Sequence, residues 1–76
     1  MVVIIPAYQP DEKLYRLVLD LHEKTSYDLI IVNDGSSADT RPLFDSLEPY
    51  AKIIRHSVNR GKGAALKTAL TYIADQ

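Results

Sequence analysis

Two glycines flank a lysine in the segment Asn59-Arg60-Gly61-Lys62-Gly63-Ala64-Ala65-Leu66. The segment follows an apolar run, Ala51 to Arg55, and opens a helical pattern. Glycine lets a backbone come close to a ligand and take strained φ values. A helix start offers unpaired N–H groups and the positive end of the helix dipole. Together these make an anion site, and Arg60 and Lys62 add mobile positive charge beside it. The alternative is a tight strand-to-helix turn with solvated basic side chains. Two other segments carry chemistry: Pro6-Ala7-Tyr8 ends in an aromatic ring, and Asn33-Asp34-Gly35-Ser36-Ser37 contains a carboxylate among turn formers.

The elements that must position these groups follow from the hydrophobic pattern. Val2 to Ile5 is short, apolar and β-branched, as in a strand buried on both faces of a parallel sheet. Pro6 is expected to stop its ladder. Asp11 can cap a helix in which Leu14, Leu17, Val18 and Leu21 form one apolar stripe, ending near Lys24 or Thr25. Leu29 to Val32 is a second apolar strand, stopped by Asn33 to Ser37. A short helix starts at Asp39 or Thr40, with Pro42 in its first turn and Leu43, Phe44 and Leu47 as its buried face. Ala51 to Arg55 is the third strand. From Gly61 a third helix is expected to bury Leu66, Ala69, Leu70 and Ile73.

The order β-α-β-α-β-α with short loops predicts an α/β fold: a three-layer, Rossmann-like parallel sheet with helices on its faces. Ligands of such sheets bind at the carboxyl ends of the strands, where all three segments would meet. A ring to cover a base, an acid to accept from a base N–H and cations for a diphosphate are what a nucleotide needs. Neither common phosphate motif is present. No Gly-x-Gly-x-x-Gly follows the first strand, and Gly61-Lys62-Gly63 lacks the upstream glycine and following Ser or Thr of a Walker loop.

The 76 residues make at most one small domain, and the absence of cysteine excludes a disulfide framework and thiolate chemistry. A net charge of −1 argues against nucleic acid as partner. No apolar run reaches the roughly 20 residues of a membrane span, and no basic n-region precedes Val2, so a cytoplasmic location is expected.

Val3-Ile4-Ile5-Pro6-Ala7-Tyr8, Ile30-Ile31-Val32-Asn33-Asp34-Gly35-Ser36 and Asn59-Arg60-Gly61-Lys62-Gly63-Ala64-Ala65 together resemble the start of the family 2 glycosyltransferases. The resemblance covers essentially the whole chain, 1–76, as a single partial domain. It implies the nucleotide-binding half of a GT-A fold, in an enzyme that moves a sugar from a nucleotide diphosphate sugar with inversion. Pro6, Ala7 and Tyr8 would line the base pocket, and Asp34, followed by Gly35, would accept from the base N3–H. Asn59 and Gly61 match the family's Asn-x-Gly, and Arg60 and Lys62 would sit near the base or the diphosphate. Asn33 stands where the family often has Asp. The Gly-Lys-Gly-Ala-Ala-Leu version resembles members that charge polyprenyl phosphates with a hexose. That implies a nucleotide-diphosphate sugar as partner, a UDP-sugar ahead of a GDP-sugar, and a membrane lipid acceptor at the cytoplasmic face.

The family binds Mg²⁺ or Mn²⁺ through an Asp-x-Asp, and this chain has no Asp-x-Asp and no assignable general base. The expectation is a chain that binds nucleotide weakly and transfers nothing alone. In the family the first strand has a neighbour on each side. Without one, Val2 to Ile5 would be an open apolar edge prone to self-association. The bland readings are Tyr8 as a core cover, Asp34 as a turn residue, and His56, Ser36 and Ser37 as structural groups. The other functional readings are a receiver-like phospho-signalling domain with Asp34 as acceptor, and a non-catalytic α/β binding module.

Overall fold

The computed structural model describes residues 1–75. Its elements are β1 (Val2–Ala7), α1 (Glu12–Lys24), β2 (Asp28–Asp34), α2 (Arg41–Leu47) led in by a 3-10 turn (Ala38–Thr40), β3 (Lys52–His56) and α3 (Lys62–Ala74). The three strands form one parallel sheet in the order β1-β2-β3. The α/β alternation expected from the sequence is therefore present, with α1 and α2 against one face and α3 against the other.

Strand alternation sorts the core. Val3, Ile5, Ala7, Leu29, Ile31 and Ile53 meet Leu14 and Val18 of α1 and Phe44 and Leu47 of α2. Ile4, Ile30, Val32 and Ile54 meet Ala65 and Ala69 of α3. Successive side chains of a strand point to opposite faces, so each apolar strand feeds both cores. Asp34 and His56 fall on the α3 face, in register with each other at the ends of β2 and β3.

Three local expectations are corrected. Pro6 does not stop β1. The strand runs on to Ala7, because Pro6 lies in an edge strand, where a missing donor is tolerated. Leu17 is not part of the buried stripe of α1; Leu14 and Val18 are buried and Leu17 faces outward. In α3 the buried line is Ala65 and Ala69, while Leu66 and Leu70 are 46% and 53% exposed. Two alanines let the helix lie close on Ile30 and Val32, and that fixes its rotation.

α1 is started by Asp11, whose side chain accepts from the Lys13 N–H at 2.9 Å. α2 carries Pro42 in its first turn and buries Phe44 and Leu47, with Leu43 half-buried. Among the described residues no helix is long and apolar enough to cross a membrane.

Candidate functional site at the carboxyl edge of the sheet

The strand registers Ala7↔Asn33 and Asn33↔Arg55 bring the three strand ends level, so the three following loops share one edge. Hydrogen bonds tie them. Between the first two loops, the Gln9 N–H donates to Ser36 Oγ at 2.9 Å and the Ser37 N–H donates to Gln9 Oε1. These bonds hold Gln9 at a φ of 50°, the left-handed region a non-glycine residue rarely enters. The second loop turns on Asn33, whose buried side chain accepts from the Ser36 N–H at 3.1 Å. The Asx-type role thus falls to Asn33, and Asp34 is freed for another.

Asp34 joins the second loop to the third. Its Oδ1 accepts from His56 Nδ1 at 2.7 Å and from the Arg60 N–H at 2.9 Å, and its Oδ2 accepts from the Gly61 N–H at 2.8 Å. The residue is 4% exposed. The His56 bond, and then the two main-chain donors, hold its carboxyl below the ordinary aspartate value of 3.8, against the opposing effect of burial. Because a carboxylate only accepts, His56 Nδ1 carries the proton of that bond. In the neutral tautomer Nε2 then accepts from Thr68 Oγ1 at 2.7 Å. A chain Asp34–His56–Thr68, buried at Asp34 and His56 and half-buried at Thr68, therefore runs from β2 through β3 to α3. His56 is a structural link here. Sequence spacing hid this role, because Asp34 and Thr68 lie 22 and 12 positions away.

Gly35 makes the approach of the two loops physically feasible. Its φ is +75°, and a Cβ there would sit 2.2 Å from the Asn59 nitrogen. The third loop can lie this close only on glycine.

In front of this fixed floor the third loop opens. Gly61 caps α3 with a φ of 89° and no side-chain cap bond. The first helical bond is from the Ala65 N–H to the Gly61 carbonyl, so the N–H groups of Lys62, Gly63 and Ala64 have no described acceptor. A Cβ at Gly61 or Gly63 would meet nothing within 4 Å. Arg60 and Lys62 are exposed, and among the described residues neither forms an ion pair. Asn59 accepts from the Gly61 N–H at 3.0 Å and so bends the loop onto the helix start. In the first loop Ala7 is buried, Pro6 is exposed and Tyr8 is 57% exposed, which leaves its ring free to meet a ligand.

The profile of glycosyl transferase family 2 matches residues 2–76. The chain belongs to glycosyl transferase family 2. It is 34% identical over 71 residues to an uncharacterized protein of Methanocaldococcus jannaschii, covering 88% of this chain and 31% of that one. It is 35% identical over 83 residues to a dolichyl-phosphate beta-glucosyltransferase of Dictyostelium discoideum, covering 90% of this chain and 25% of that one. The chain thus spans a third or less of the length of these relatives. No solved structure gives a significant match.

Membership in this family displaces the receiver-like reading, and the geometry agrees. A phospho-acceptor of that kind needs acidic side chains after the first strand to hold Mg²⁺ beside it, whereas the loop after β1 is Pro6-Ala7-Tyr8. The family's divalent metal does not fit the residues described. No group of three or more His, Asp or Glu stands together among them, and Asp34 already accepts three hydrogen bonds.

Proposed function

We propose that this chain is the nucleotide-diphosphate-sugar-binding part of an inverting glycosyltransferase that moves a hexose to an acceptor hydroxyl or lipid phosphate. One observation carries the reading. The start of α3 carries three N–H groups without an acceptor and two cations without an ion pair among the described residues, beside a glycine that holds a positive φ and with open space at Gly61 and Gly63. Such a cradle suits the diphosphate of the donor, through main-chain donors and the helix dipole. Arg60 and Lys62 neutralise its charge, and Tyr8 covers the base.

Asp34 has a double part in this reading. A carboxylate offers about four acceptor positions, and three are in use, two on Oδ1 and one on Oδ2. The remaining position on Oδ2 takes the base N–H, while the other three hold the diphosphate cradle at a fixed distance from the base. In the transfer, a bond forms between the acceptor oxygen and the anomeric carbon as the bond from that carbon to the diphosphate breaks. The acceptor proton leaves to a base. The residues named here bind and orient the donor. The one carboxylate among them is committed to the floor of the site, so the chain alone binds and does not transfer.

The dolichyl-phosphate relative supports a polyprenyl phosphate as acceptor, at a membrane surface. UDP is proposed as the donor nucleotide ahead of GDP.

The test is a titration of the isotopically labelled 76-residue chain with UDP and then GDP, with and without Mg²⁺, followed by its amide NMR signals. Shifts at Ala7–Tyr8, Asn33–Ser36 and Arg60–Ala64 are expected with UDP. A folded chain whose signals do not move would favour the non-catalytic binding module. Sugar transfer by the chain alone would overturn its assignment as a binding part only.

A further inference from the structure

The loop after β1 is held away from the shape its sequence prefers. Gln9 takes a φ of 50°, and among the described residues it is the only non-glycine with a positive φ. Gln9 also precedes Pro10, and a residue before proline favours extended backbone. A residue kept in so sparsely populated a region needs surroundings that over-determine it.

Here the surroundings are two crossed hydrogen bonds. The Gln9 N–H donates to Ser36 Oγ, and Gln9 Oε1 accepts from the Ser37 N–H. One residue thus clasps two consecutive residues of the second loop, 27 and 28 positions away. Both are anchored in turn. The Ser36 N–H donates to the buried Asn33 side chain, and the Ser37 carbonyl accepts from the Thr40 N–H at 3.1 Å and from Thr40 Oγ1 at 2.7 Å. Gln9 is therefore tied to a part of the second loop that is already fixed.

The clasp lies beside the two groups that the proposed function sets against the base. Tyr8 immediately precedes Gln9, and Asp34 stands two residues before Ser36. The Tyr8 ring is more than half exposed, so its main chain, rather than packing, must place it. That main chain is held on one side by Ala7, which is buried and in register with Asn33, and on the other by Gln9. If Gln9 relaxed to extended backbone the clasp would open, and only the strand side would hold Tyr8.

We infer that Gln9 is a positioning residue for nucleotide binding: its clasp on Ser36 and Ser37 sets the Tyr8 ring at a fixed offset from Asp34, so that one base meets both. The inference rests on the proposed function and extends it to a residue that touches no ligand. A ring ordered before the ligand arrives spares binding the entropy of ordering it. The length of the side chain is what the clasp needs. Asparagine enters the left-handed region more readily than most residues, but it is one methylene too short to reach the Ser37 N–H. Glutamate keeps both the length and the acceptor, and Gln9 Nε2 has no described partner to lose.

The test is the ratio of UDP affinity to inorganic pyrophosphate affinity, read by amide NMR titration of the 76-residue chain and three variants. Pyrophosphate reads the start of α3, and UDP reads that start together with the base site. The ratio therefore isolates the base site and cancels the charge that Gln9→Glu adds. Gln9→Asn lowers the ratio about tenfold, the scale of ordering one side chain on binding, and leaves the melting temperature within a few degrees, as an exposed substitution does. Gln9→Glu restores the ratio. Ser36→Ala removes the other bond of the clasp and lowers the ratio in the same direction, so the result does not depend on one variant folding. In the free chain, amide relaxation finds Tyr8 as ordered as β1, and more mobile in Gln9→Asn. A ratio unmoved by Gln9→Asn and Ser36→Ala overturns the inference and leaves the proposed function standing, even where the melting temperature falls. So does a Gln9→Glu variant that loses as much as Gln9→Asn. A parent chain that binds neither ligand, or pyrophosphate alone, overturns the proposed function and this role with it.

Discussion

The floor and the mouth of the carboxyl edge differ in how far their polar groups are satisfied. The floor, made of Asn33, Asp34, Gly35, His56 and Thr68, is buried or half-buried, and none of its buried side-chain polar atoms lacks a partner. The mouth, made of Tyr8, the Arg60 side chain and the N–H groups of Lys62 to Ala64, is exposed except at the half-buried Ala64, and among the described residues the Arg60 side chain has no ion pair and those N–H groups have no acceptor. A folded chain satisfies what it encloses. Groups left unpaired in a place the rest of the structure has fixed are available to a ligand. The difference teaches that residues of one motif divide their labour. Asp34 and Gly35 hold the site together, and Arg60, Lys62 and Gly63 face outward from it.

Mutations should separate the two regions by what they change, and the floor gives the largest effects. Gly35→Ala meets the Asn59 backbone at 2.2 Å and adds a Cβ at positive φ. It should cost more than about 2 kcal/mol, read from the urea midpoint, and scatter the amide signals of the third loop. Asp34→Asn comes next. It weakens the bonds to His56 and to the Arg60 and Gly61 N–H groups. Its acid behaviour has a definite sign. The folded carboxyl titrates below 3.8, so its stabilising contribution is present above that value and is lost as pH falls through the lower folded one. The melting temperature of the parent chain should fall on acidification below 3.8, and that of Asp34→Asn should fall less over the same interval. Thr68→Val leaves His56 Nε2 without its partner and should cost about 1 kcal/mol, measured in the same urea titration.

The mouth should show the reverse pattern. Removing both cations, Arg60→Ala with Lys62→Ala, should leave stability within about 0.5 kcal/mol and weaken UDP binding about tenfold, which calorimetry or the amide titration reads. The smallest change is Gly63→Ala. Its Cβ meets nothing within 4 Å, so the helix should gain a few tenths of a kcal/mol while nucleotide binding falls. A floor variant that lowered affinity without touching stability, or a mouth variant that unfolded the chain, would break the division.

Much of this was legible in the sequence, because strand and loop signals here are local. Three β-branched runs, each ended by turn or loop residues, set the parallel order, and that order puts the three loops at one edge. The rotation of α3 was not legible. Hydropathy weights Leu66 and Leu70 above Ala65 and Ala69, yet a helix lying close to a sheet is seated by its small residues. The persistence of β1 through Pro6 depended on its place at the sheet edge, which no local pattern encodes. The turn role held open as the alternative for Asp34 went to its neighbour Asn33, since both side chains suit it and only the strand phase chooses between them. The Asp34–His56–Thr68 chain needed the register of β2 and β3.

The two bonds from the third loop to Asp34 cross 26 and 27 positions of sequence. The cradle therefore has no local existence. It forms only when β2, β3 and α3 are all in place, and it comes apart with any one of them. A nucleotide that recognises it recognises the completed chain, and mass action makes binding a restraint on global unfolding. The gain follows RT ln(1 + [L]/Kd), close to 3 kcal/mol at about a hundredfold excess over Kd. For a domain of this size that is a large share of what holds it folded. The donor would then act on the chain as a folding partner before it acted as a substrate.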